Sequence, residues 1–203
     1  MASSKVVALF DFDGTITRRD SLLPFLWQLF GPLRLAAYAI LMSPLLCGYL
    51  LRLIPNGIAK ERLLGRMLGG MAMTRLRAEA QRFARDVLPR LVRDESAERI
   101  AWHQAQGHRV IIVSASLELY LRPWAEALGV VDVLATRLRE EQGRASAGFE
   151  GVNCFGEAKA QRIREYLGDM TGLEVYAYGD SRGDTQMLAL ADHAYYRGVL
   201  RES

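Results

Sequence analysis

Three short apolar runs, each ending abruptly in a polar cluster, constrain this chain more than any other feature. Lys5-Val-Val-Ala-Leu-Phe10 runs into Asp11-Phe-Asp-Gly-Thr15, Val110-Ile-Ile-Val113 into Ser114-Ala-Ser116, and Leu173-Glu-Val-Tyr-Ala-Tyr178 into Gly179-Asp-Ser-Arg-Gly-Asp184. Short, largely apolar runs rich in β-branched and aromatic residues predict buried strands. A weaker strand is expected over residues 130–135. Helical patterns fall between them, over residues 94–106, 118–128, 157–167 and 184–191. Alternating strands and helices imply a parallel sheet, with the ligand site beyond the carboxyl ends of the strands. All three polar clusters fall at that edge.

The expected fold is therefore α/β, with a Rossmann-like parallel sheet core. Residues 17–93 interrupt the alternation: they contain no convincing β segment and read as helices separated by Pro55-Asn-Gly57 and Gly69-Gly70. They form an all-helical cap inserted after the first strand, leaving residues 1–16 and 94–203 as a discontinuous core. Charge follows the same division. Residues 18–93 hold 13 Lys/Arg and 4 Asp/Glu, whereas the rest of the chain holds 13 and 19, behind a formal net charge of only +3. A basic body suits an anionic substrate or surface, but no run of Lys/Arg exceeds the pair Arg18-Arg19 and there is no nucleic-acid-binding module, so nucleic acid is not expected as a partner. Two cysteines, Cys47 and Cys154, call for no disulfide framework and fit a reducing cytosol. No secretion signal is expected, since residues 1–5 run into the apolar stretch Val6 to Phe10 without a basic n-region, a separate apolar h-region or a cleavage site.

Asp11 and Asp13 sit where one strand ends, and Asp180 and Asp184 follow another. Four carboxylates brought together would repel one another without cations. A hard divalent ion resolves the conflict, and Mg²⁺ fits best because it accepts one or two carboxylates together with waters and phosphate oxygens. His103, His108 and His193 have no ligand spacing with each other or with the cysteines, so zinc is not expected. Arg182-Gly-Asp184 spells an adhesion tripeptide, a match the acidic cluster already accounts for.

Asp11-Phe-Asp-Gly-Thr15, Ser114, Lys159 within Gly156-Glu-Ala-Lys159, and Gly179-Asp-Ser-Arg-Gly-Asp184 occur in that order, and together they resemble the haloacid dehalogenase superfamily over almost the whole chain. The nearest branch is the one that contains phosphoserine phosphatases and carries a helical cap. The resemblance implies a phosphatase in which Asp11 attacks phosphorus to form a phosphoaspartate, and Asp13 protonates the leaving alkoxide and then activates water. It places Ser114 on the phosphoryl oxygens with Ala115 beside the substrate, and makes Lys159 the cation balancing nucleophile and phosphate. Asp180 and Asp184 would join Asp11 and the backbone carbonyl of Asp13 around Mg²⁺.

On substrate, the resemblance implies an amino-group contact at Asp20, for which helix capping is the alternative role, and a substrate arginine in the cap that aligns approximately with Arg62. Arg34 is the sole charge in residues 22–51. Residues 35–51 would make a helix of about 25 Å, short of the roughly 30 Å hydrocarbon core, and a single crossing would separate Asp11 from Ser114, Lys159 and Asp180. Ser43-Pro44 predicts a break into two short apolar helices, either a hairpin that dips into a membrane or a pair lying in its interface. In its apolar, basic stretch after the first motif the chain is similar to bacterial phosphatidylglycerophosphate phosphatases. Two substrate classes follow, a membrane phospholipid monoester or a small phosphorylated metabolite such as phosphoserine. The expected location is the cytoplasm, with peripheral contact at the inner face of an anionic membrane. A cap core or a homodimer through the cap is the alternative use of the apolar stretch. A non-hydrolytic phosphate-sensing or membrane-docking module is the rival function, disfavoured because such a module could shed Asp13 or Lys159.

Overall fold

The computed structural model describes residues 5–51 and 53–201, with the side chains of residues 46, 49 and 56 left aside. Residues 1–4, which bear on the expected lack of a secretion signal, lie outside the described residues.

Strands β1 (Val6–Phe10), β2 (Arg109–Leu117), β3 (Asp132–Glu141), β4 (Arg144–Glu150), β5 (Glu174–Gly179), β6 (His193–Tyr196) and β7 (Val199–Leu200) form one sheet in the order β4-β3-β2-β1-β5-β6-β7. The five strands from β3 to β6 are parallel, as the apolar runs require; β1 lies at the centre with Leu9 beside Ile111 on one side and Ala177 on the other. Both outer pairs, β3–β4 and β6–β7, are antiparallel. The sheet is thus mostly, not wholly, parallel. The expected strand over 130–135 extends to Glu141 and turns back through Gln142 and Gly143, both at positive φ (49° and 74°). Its second half is charged and mostly exposed, so it does not form a buried apolar run.

Helices α1 (Leu22–Leu41), α2 (Ser43–Leu50), α3 (Asn56–Leu68), α4 (Met73–Asp86) and α5 (Leu88–Leu91) follow β1. Helices α6 (Asp94–Ala105), α7 (Glu118–Ala127) and α8 (Glu157–Leu167) match the expected patterns closely, and α9 (Thr185–Leu188) is a single turn where a longer helix was expected. The helical region and the sheet share one apolar cluster. Phe25 of α1 and Phe83 of α4 meet Tyr120 of α7 at ring-centroid distances of 5.0–5.3 Å, all fully buried. Backbone bonds add to this seam, with Gly70 N donating to Ala145 O and Ala145 N to Met71 O (2.8 and 2.9 Å).

Candidate active site

The amide of Asp11 donates to Tyr178 O (2.9 Å), so the ladder between β1 and β5 continues one residue past the strand and fixes the Asp11 backbone. The chain then makes one wide turn over Phe12–Ile16, closed by Thr17 N donating to Phe12 O (2.9 Å). Gly14 carries the turn at φ +87°, and a Cβ there would collide with the Asp180 carboxylate. The position therefore needs glycine both for its backbone angle and for the close approach of the two loops. On the neighbouring strand, the pairing of β2 with β3 shifts register between Ser114 and Leu117. Such an irregularity re-aims side chains, and Ser114 and Ser116 are both buried there.

Lys159, in the first turn of α8 and 1% exposed, donates to Asp11 Oδ1 and to Asp184 Oδ1, both at 2.6 Å. Asp184 Oδ2 accepts from Ser181 Oγ (2.8 Å), Ser181 N (3.0 Å) and Asp180 N (3.3 Å), which pins the β5 loop around its carboxylate. Asp180 accepts from the Thr15 hydroxyl (3.4 Å). Asp11, Asp180 and Asp184 each offer an oxygen, all within 4.8 Å of one another. The Asp13 side chain turns elsewhere: it accepts from Ser21 N (2.8 Å), Thr17 Oγ1 (3.4 Å) and the Ser116 hydroxyl. A buried chain of hydroxyls backs it, with Ser21 Oγ 3.0 Å from Tyr120 OH.

Burial pushes the Asp11 carboxyl up to about 7, with Lys159 opposing the rise and Asp184 adding to it. Burial likewise raises Asp13, and raises Asp180 with help from Asp184. Asp184 is held below the usual carboxylate range, because Lys159 and Ser181 outweigh its burial. Lys159 rises despite burial, since Asp11 and Asp184 hold its proton. Three carboxylates around one ammonium leave the cluster net negative, and its donors are hard oxygens. That combination fits a divalent cation of the Mg²⁺ type.

Asp11, Asp13, Ser114, Lys159 and Asp184 border one cavity of about 330 Å³, roofed by Asp20, Leu22, Ala59, Lys60 and Leu63. Asp180 borders a second cavity, of about 600 Å³, with Gly14, Thr15 and Arg197. Ser114 Oγ accepts from Ser116 N (3.0 Å), and its hydroxyl proton can be offered to a ligand. The Asp20 carboxylate accepts from Leu22 N (2.9 Å) and Leu23 N (3.2 Å), capping α1 while standing at the cavity's edge.

Arg62 is exposed on α3 and does not line this cavity. Two residues correspond to roughly 200° around a helix, so Arg62 and Lys60 face opposite ways. Lys60 is the α3 cation that enters the cavity, donating to Ala115 O (2.9 Å), its proton loosened by burial against the pull of Asp13 and Asp20. The sequence offered one signal for it. The chain's lysines are Lys5, Lys60 and Lys159, every other cation being arginine, and the two inner ones lie in this site. Ser116, which holds Asp13, was the other functional candidate missed.

The histidines stay outside the acidic cluster: His103 shares a hydrogen bond with His108 (2.8 Å) and another with Tyr178 OH (2.9 Å). Cys47 and Cys154 are free thiols.

A family model described as haloacid dehalogenase-like hydrolase matches residues 8–189. Protein CicA of Caulobacter vibrioides is 35% identical over 198 residues, covering 97% of this chain and 88% of that protein. A probable phosphatase of Mycobacterium tuberculosis is 34% identical over 210 residues, covering 98% and 72%. Among solved structures, the phospho-aspartyl intermediate analogue of phosphoserine phosphatase superposes with a TM-score of 0.63 over 91% of this chain and 82% of that one, at 18% identity, a likeness of fold.

Proposed function

The chain belongs to the haloacid dehalogenase-like hydrolases, and on that premise we propose that it is a phosphatase that cleaves phosphomonoesters through a phosphoaspartate on Asp11, with Mg²⁺. The observation that carries the reading is that Asp11, Asp13, Ser114 and Lys159 border the same small cavity.

Asp11 attacks phosphorus as the ester P–O bond breaks. Asp13, whose carboxyl is raised by burial, hands its proton to the departing alkoxide. A water then attacks the phosphoaspartate, Asp13 takes the water's proton, and phosphate leaves with Asp11 restored. Lys159 and the Ser114 hydroxyl offset charge on the phosphoryl oxygens and keep the nucleophile oriented. Asp11, Asp180 and Asp184, with the Asp13 carbonyl, would hold Mg²⁺, which supplies further neutralisation of phosphoryl charge. Residues 17–93 serve as the cap, contributing Asp20 and Lys60 to the substrate's far end.

A cavity of about 330 Å³ suits a compact phosphomonoester, either a free metabolite of phosphoserine size or the head group of a phosphatidylglycerophosphate-like lipid. Assays of phosphoserine, other phosphorylated metabolites and phospholipid monoesters, with Mg²⁺ and with chelator, test the reaction and divide the substrates. Asp11→Asn should abolish turnover with the fold intact; full activity in that variant would remove the covalent mechanism.

A further inference from the structure

Arg34 is the sole charge between residues 22 and 51, and the structure leaves much of this apolar stretch in water. Helix α1 breaks at Gly31 (φ 72°, ψ 171°), followed by Pro32. Beyond the break Leu35 and Tyr38 turn back onto the body, with Tyr38 against Phe30 at 5.3 Å. The outer face carries Leu33, Ile40, Leu50 and Leu53, which are 86%, 77%, 76% and 75% exposed. Among the described residues of 32–53, none is buried. A concentration of large apolar side chains of this kind marks an interaction surface.

Charge identifies what covers it. Arg34 within the segment, and Arg62 and Arg66 on α3, the helix that follows it and packs against α2, are exposed. Glu61, the acid that interrupts this series, is occupied by Phe149 N (3.0 Å). An apolar centre with a basic rim is complementary to a bilayer with anionic head groups. A second copy of the chain docked isologously would set this rim against itself. Length fits as well. The part of α1 beyond Gly31 and the eight-residue α2 reach about 15 and 12 Å, enough for shallow insertion and too little to span. Among the described residues no helix is long and apolar enough to cross a membrane. Finally, the segment links α1 to α3, and these helices supply Leu22, Ala59, Lys60 and Leu63 to the cavity roof.

We propose that residues 32–53 dock the protein onto the surface of an anionic lipid bilayer, with the cavity roof alongside the lipid. Docking stands on the exposed surface alone. The corollary, that the substrate is a phosphomonoester displayed on the bilayer, rests on the phosphatase reading.

The test is flotation of the full-length protein with vesicles of equimolar phosphatidylglycerol and phosphatidylcholine, beside vesicles of phosphatidylcholine alone. The Leu33→Gln, Ile40→Gln, Leu50→Gln, Leu53→Gln variant is carried in parallel, with hydrolysis of soluble p-nitrophenyl phosphate and circular dichroism confirming that it remains folded. The native protein should float with the anionic vesicles, weaken as salt rises, and lose about tenfold in bound fraction in the variant. An Asp11→Asn protein should float like the native one, so that a failed phosphatase reading leaves the docking result intact. Native protein that stays at the bottom of the gradient overturns the proposal. So does native protein that is dimeric in sedimentation equilibrium, does not bind vesicles, and becomes monomeric in the glutamine variant, which would assign the face to a second copy.

Discussion

Lys159 places its ammonium 2.6 Å from Asp11 Oδ1, and both groups are almost wholly shut off from water. The same ammonium reaches Asp184 at 2.6 Å, so a single cation stands between the proposed nucleophile and an adjacent acid.

Lys159→Met should therefore cost stability as well as activity. Removing one partner of a buried charge cluster leaves the others uncompensated, at about 3–5 kcal/mol. Asp11, already raised to about 7 by burial, rises further without Lys159, and Asp184 loses the partner that holds it low, so the folded variant binds more protons than the folded native protein. The variant's deficit then grows as pH rises. Urea denaturation without divalent cations should show a larger loss at pH 8 than at pH 5; an equal loss at both would place the effect in packing.

Asp13 should reveal its two roles through the leaving group. p-Nitrophenolate departs without a proton, whereas an alkoxide needs one. In Asp13→Asn, turnover of an alkyl phosphate should fall by ~10²- to 10⁴-fold. With p-nitrophenyl phosphate the variant should release a stoichiometric burst of nitrophenol and then turn over slowly, because activation of water still lacks its base. Equal slowing of both phases in stopped flow would count against the assignment.

Ser116 positions Asp13 and stabilises its ionised form through a hydrogen bond. Ser116→Ala should lower kcat about tenfold, in keeping with one hydrogen bond to a charged group. The acidic limb of the kcat profile should also move to higher pH, since Asp13 loses a donor that lowers its pKa. Unchanged limbs in the pH profile would make Ser116 a packing residue only.

The sheet was legible in this sequence wherever burial dictated composition. β1, β2 and β5 are covered on both faces, so they read as unbroken apolar runs, and the polar residues that end them had to meet at one edge of the sheet. Asp11, Asp13, Ser114 and Lys159 all reach that cavity. β4 and the far half of β3 escaped notice because charged residues such as Arg139, Glu140 and Glu141 lie there, held by pairing and by the Gln142-Gly143 turn. Lys60 was overshadowed by Arg62 because a helix projects residues two apart in opposite directions, and only the docking of α3 decides which faces the site. The shared core between helices and sheet was hidden for a related reason. Phe25, Phe83 and Tyr120 are distant in sequence, and no local pattern pairs them.

His103, bonded to Tyr178 OH, gives the fold a pH dependence that does not come from the acidic cluster. Burial, with His108 and Arg99 nearby, depresses its pKa to about 4 from 6.5. Since the folded state holds it neutral, its contribution is complete above pH 6.5 and is lost as pH falls toward 4. Native protein should lose about 2 kcal/mol of this contribution between pH 7 and pH 5, a loss absent in His103→Gln. Identical slopes of stability against pH in the two proteins would contradict the assignment.

Chemical trapping of the intermediate tests the phosphoaspartate on Asp11. Protein turning over p-nitrophenyl phosphate with Mg²⁺ is quenched in acid, reduced with borohydride and mapped by mass spectrometry, since an acyl phosphate is reduced to an alcohol where a free carboxylate is not. A phosphoaspartate on Asp11 requires reduction at Asp11 and at no other carboxylate, dependent on substrate. Continued turnover with Asp11 unmodified, or reduction at Asp13, Asp180 or Asp184 instead, would contradict it.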